Sequence, residues 1–71
     1  MNRWTWRFER SDGSVVTDVP ESTPEWFPAQ ADAESWIGET WAALRESGVD
    51  AVTLLEGERV VYGPMSLHPP A

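Results

Sequence analysis

Polar and apolar residues alternate along the run Arg3–Arg10: Trp4, Trp6 and Phe8 fall on one side of an extended chain, Arg3, Thr5, Arg7 and Glu9 on the other. That period of two predicts a strand with one face toward a core. "SDGS" follows at Ser11–Ser14, and its Asp12-Gly13 pair suits the positive φ of a tight hairpin turn, so a short return strand is expected over Val15–Val19 before Pro20. Three prolines then make "PESTPEWFP", Pro20–Pro28, a connector, with Trp26 and Phe27 folded back as an apolar anchor.

The period changes at about Gln30. Through Glu46 the apolar residues Ala33, Trp36, Ile37, Trp41 and Leu44 gather into one stripe at helical spacing, with Pro28 just before and Gly48 just after. Asp32 and Glu34 lie in the first turn, where the helix dipole favours negative charge. Gly38 interrupts this helix at a cost of about 0.5–1 kcal/mol relative to alanine, which suggests close approach of a strand or a tryptophan ring. Strand character returns over Val49–Glu56 and Arg59–Gly63, and the two residues between them, Gly57-Glu58, predict a second hairpin. Gly63-Pro64 should end the pairing, because proline donates no ladder hydrogen bond. Met65 and Leu67 are then expected to fold back over the helix or the sheet edge, with residues 68–71 mobile.

The sum is one small α+β domain over residues 1–71. Its expected order is ββαββ, a three- to four-stranded antiparallel sheet with one amphipathic helix packed on one face. A chain of 71 residues buries a small core and often needs a covalent or metal staple. This one has no cysteine and a single histidine, a poor basis for structural zinc. Five tryptophans are the expected substitute, each able to bury about 150–250 Å².

Charge narrows the function classes. Twelve acidic residues stand against five basic ones, all arginine, for a net charge of −7. Binding to a phosphate backbone or an anionic membrane surface is disfavoured, whereas a basic protein partner is permitted. With no stretch apolar enough for a leader or a membrane span, a cytoplasmic location is expected.

The alternating aromatics could be a stacking platform, as in single-strand binders. The helix stripe, however, needs an apolar surface to cover, so Trp4, Trp6 and Phe8 are read as core, with Arg3 and Arg7 pairing across the sheet to acids such as Asp18. On the polar side of the helix, Asp32, Glu39 and Glu46 read first as a solvated face and second as an acidic docking ridge beside small Ser35 and Ala42. Catalytic equipment is missing: there is no cysteine nucleophile and no glycine-rich phosphate loop, and His68 sits near a loose end. No cofactor and no metal are expected. Tyr62, Met65 and Leu67, around the Gly-Pro break, either cap the core or offer an adaptable binding surface.

The run "FPAQADAESWIGETWAALRESGVDAVTLLEGERVVYGPMSLHP", Phe27–Pro69, together with "WTWRFE" near the start, resembles a group of small actinobacterial proteins of unknown function. The resemblance covers most of the chain and is most distinctive at Val-Tyr-Gly-Pro-Met-Ser-Leu. It implies a compact domain and an actinobacterial source, and no activity. Small acidic proteins that assist peptide synthetases are set aside, because their Ser-x-Trp-Pro and Asp-x-Arg-Pro patterns are missing.

The expected function is therefore that of a non-enzymatic interaction or regulatory module for another protein, using Tyr62, Met65 and Leu67 or the acidic residues Asp32, Glu39 and Glu46. Two alternatives stay open: a homodimer whose interface completes the core, and a small-molecule binder using Arg3 or Arg7.

Overall fold

A computed structural model describes residues 3–17, 19 and 23–68. Its elements are β1 (Trp4–Glu9), α1 (Gln30–Glu46), β2 (Ala51–Glu56) and β3 (Arg59–Ser66), with the sheet ordered β1-β2-β3 and both pairings antiparallel. The α+β class holds, and the order is βαββ instead of the expected ββαββ.

Among the described residues the expected return strand is absent, and this has a specific reason. The Asp12-Gly13 turn forms as expected: Gly13 takes φ 88°, the Arg10 N–H donates to the Ser14 carbonyl at 2.8 Å, and the Val16 N–H donates to the Phe8 carbonyl at 2.7 Å. Pairing then reduces to an isolated bridge between Glu9 and Val15. Continuing that register would set Pro20, which has no N–H, opposite Trp4. The edge of β1 there is taken instead by Phe27, which exchanges two backbone hydrogen bonds with Trp4 at 2.9 and 2.7 Å. The connector thus supplies the backbone partner that the return strand cannot.

α1 has the bounds its periodicity predicts. Gly48, at φ 103°, ends it by donating to the Arg45 carbonyl, and the Val49 N–H donates to that of Leu44. Ala33, Ile37 and Leu44 face a core that includes Trp6, Phe8, Val52 and Leu54. Trp6 fixes the helix position, since its indole N–H donates to the Ala33 carbonyl at 2.9 Å and so satisfies the ring's one polar atom in the interior. Trp36 packs against Phe8 and Phe27, with ring centroids 6.2 and 5.5 Å away. The alternating aromatics are core, as expected, although Trp4 is only half-buried. Trp41, placed by periodicity in the same stripe, is instead 40% exposed.

β3 runs through Gly63-Pro64, where the sequence suggested a stop. Register shifts at Val52/Leu54 and Leu54/Leu55 absorb extra β3 residues, and pairing resumes at Val52↔Met65 and Ala51↔Ser66. The Gly63-Pro64 peptide is cis. Gly63 also has to be glycine, because it takes φ 129° and a Cβ there would lie 2.8 Å from the Thr53 Cα. On this side of the sheet Thr53 and Glu9 are buried, and the Thr53 hydroxyl and the Arg7 Nε–H donate to the two Glu9 carboxylate oxygens at 3.1 and 3.0 Å. The carboxylate is thus satisfied from both sides, as a buried charge must be. Arg7 finds its acid on its own strand; Asp18 lies outside the described residues, as do residues 69–71 of the expected mobile end.

Candidate functional site

An apolar depression lies where α1 meets the end of β3. Ile37, Gly38 and Trp41 form one wall, Met65, Leu67 and His68 the other, around about 290 Å³. Periodicity puts Gly38 and Trp41 one turn apart on the flank of α1, off the buried line of Ala33, Ile37 and Leu44. The Trp41 ring is held by Arg45, whose guanidinium carbon lies 5.1 Å from the ring centroid. Met65 is 39% exposed on the opposite rim. Gly38 differs from Gly63 in that a Cβ added there would meet no heavy atom within 4 Å. The expected close approach to Gly38 therefore does not occur inside this chain.

Asp50 fixes the second wall. Its backbone N–H donates to the Glu9 carbonyl and its carbonyl accepts from Leu67 N–H, both at 2.8 Å. One carboxylate oxygen accepts from the Ser11 N–H at 2.9 Å, and the other lies 2.6 Å from His68 Nε2. As an acceptor-only group the ionised carboxylate sets the imidazole tautomer, with the proton on Nε2. The His68 hydrogen bond, then the Ser11 N–H, holds the Asp50 carboxyl below the usual carboxylate range. A more polar depression lies beyond this pair, lined by Glu9, Arg10, Ser11 and Pro64 among others.

The expected site residues do not converge. Leu67 is 6% exposed and belongs to the core as well as to the groove wall, so it holds the fold and is not a free docking side chain. Met65 is at the groove. Tyr62 is away from it, edge-on to Trp6 at 6.1 Å, with its hydroxyl donating to Glu34 at 2.9 Å. Burial first, and that carboxylate second, push the phenol up to about 12. Asp32, Glu39 and Glu46 are exposed on α1, and none of their carboxylates has a hydrogen bond or ion pair within the described residues.

The arginines are mostly engaged: Arg3 over the Trp26 ring, Arg7 on Glu9, Arg45 over Trp41 and Arg59 on Glu56. Arg3 and Arg7 thus each have a partner within the chain. The Ser66 hydroxyl bonds the backbone of His68, not its imidazole, and no group of three metal-ligating side chains occurs among the described residues. Gly38, Trp41 and the Asp50–His68 pair went unrecognised in the sequence as parts of a site. A glycine one turn from a tryptophan was a usable signal for the first two; nothing local links Asp50 to His68.

Among the described residues no helix is long and apolar enough to cross a membrane. No family model, curated protein or solved structure matches the chain.

Proposed function

We propose that this protein is a small non-enzymatic interaction module, cytoplasmic in setting, that docks another protein in the groove between α1 and the end of β3. The observation that carries the reading is the pairing of exposed Trp41 and Met65 around a depression that Gly38 also lines. Large apolar side chains exposed together around a concavity are what a docking surface requires, and tryptophan and methionine are enriched in such surfaces.

Self-association is the weaker reading. Two copies would each bring a charge of −7. The sheet edges also oppose strand pairing, since β1 is bridged by Phe27 and Val15 and β3 carries Pro64 and two register shifts.

The test is site-specific crosslinking. A photoreactive residue replacing Met65 should capture one protein at high yield in lysate of the source cells, and Trp41→Ser should remove that product; the same residue at Val15, exposed elsewhere, should capture none. Equal labelling from both positions, or none from Met65, would refute the reading. Sedimentation at rising concentration should give a monomer throughout.

A further inference from the structure

We propose that the groove takes a basic amphipathic α-helix from the partner protein, with one bulky aliphatic side chain seated on Gly38 between Trp41 and Met65. This deepens the interaction reading above and rests on it. The starting observation is that Gly38 has no role in the fold. It lies inside a helix and has no positive φ, and a Cβ would meet nothing within 4 Å. A glycine at such a position destabilises a helix, and its open space faces the groove. The missing side chain is therefore room for something outside the chain.

Charge selects the occupant. Moving round α1 from Gly38 away from the core, the surface passes small Ala42 and Ser35 and reaches Glu39, Glu46 and Asp32, about 100° further on. Those carboxylates are exposed and have no partner within the described residues. A segment with its apolar side on Gly38 and Trp41 would bring its flank over them, and lysine or arginine there would be complementary. A second copy of this chain would bring net negative charge instead.

Backbone chemistry selects the conformation. An extended segment would need the free edge of β3, yet Pro64 offers no N–H there and the register is broken on either side of Leu54. A helix satisfies its own backbone groups and needs only an apolar groove with room for an anchor.

The experiment uses the full chain and three synthetic 18-residue helix-forming peptides, titrated calorimetrically and followed by amide chemical shifts. The first alternates lysine and leucine at helical spacing; the second replaces each lysine with glutamate; the third replaces each leucine with serine. The first should bind and shift the amides of Gly38, Trp41 and Met65, and the other two should bind at least about tenfold more weakly. Gly38→Leu should weaken the first peptide by about tenfold or more while leaving the fold intact. Gly38→Ala carries the sharpest signature: melting should rise by about 2–8 °C while peptide affinity falls. Glu39→Lys with Glu46→Lys should remove most of the salt sensitivity of binding.

Equal binding of the lysine and glutamate peptides, or no effect of Gly38→Leu, overturns the proposal. If Met65 crosslinks a partner while the lysine–leucine peptide fails to bind, the helix inference falls and the module reading stands. If Met65 captures nothing as well, both fall.

Discussion

The two halves of α1 carry one tryptophan each, about 140° apart round the helix axis, and they meet different fates. Trp36 is covered by Phe8 and Phe27, so the first half of the helix is closed against β1 and the connector. Trp41, little more than a turn later, has Arg45 across its ring and lines a groove with Gly38 and exposed Met65. The difference lies in what the rest of the chain brings up. The connector delivers a phenylalanine to the first half; the end of β3 delivers a methionine held at a distance by Asp50 and Leu67. A periodic stripe establishes which residues are able to be buried, and neighbours determine which ones are.

This contrast can be broken from either end. Phe27→Ala should uncover Trp36 and cost about 3–5 kcal/mol, a large part of the stability of so small a domain, measured by urea denaturation. Gly63→Ala comes next, at about 1–3 kcal/mol, because strained φ and a clash with Thr53 act together on the strand that carries Met65. Trp41→Ala should cost under about 1 kcal/mol, as an exposed side chain does, and a loss as large as that of Phe27→Ala would erase the distinction between the halves.

Smaller effects sharpen the comparison by pH. Because the folded Asp50 carboxyl titrates below its ordinary value, its contribution is complete above about pH 4 and is lost as pH falls through the lowered value. Asp50→Asn should flatten that acid limb and broaden the amide signals of Met65, Leu67 and His68 while sparing those of Trp36. Tyr62 has the opposite sign. Its phenol is pushed up to about 12, so the neutral form is favoured in the folded state, and that stabilisation is present below about pH 10 and lost as pH rises toward 12. Tyr62→Phe should remove this alkaline transition and leave the groove unchanged.

Much of the fold was legible because it is locally encoded. The alternation at Trp4–Phe8, the stripe and flanking Pro28 and Gly48 of α1, and the Gly57-Glu58 turn are short-range signals, and each element appears where they put it. Two expectations failed for non-local reasons. The return strand gave way because Phe27, distant in sequence, claims the β1 edge, and β3 crosses Gly63-Pro64 because its register shifts absorb the interruption. The site was less legible still. Met65 lines the groove, but Leu67 is core, Tyr62 serves the helix–sheet contact, and Gly38 with Trp41 were assigned to packing.

By itself, then, the sequence determined the class of element at nearly every position, the acidic surface and the lack of any cross-link, because periodicity, turn chemistry and charge are properties of neighbouring residues. Tertiary structure alone decided which tryptophan is covered, that Asp50 ties Ser11 and Leu67-His68 together, and that Gly38 opens onto a groove. Those outcomes depend on which distant side chain reaches a given surface first, and burial is a competition among segments that no single segment encodes.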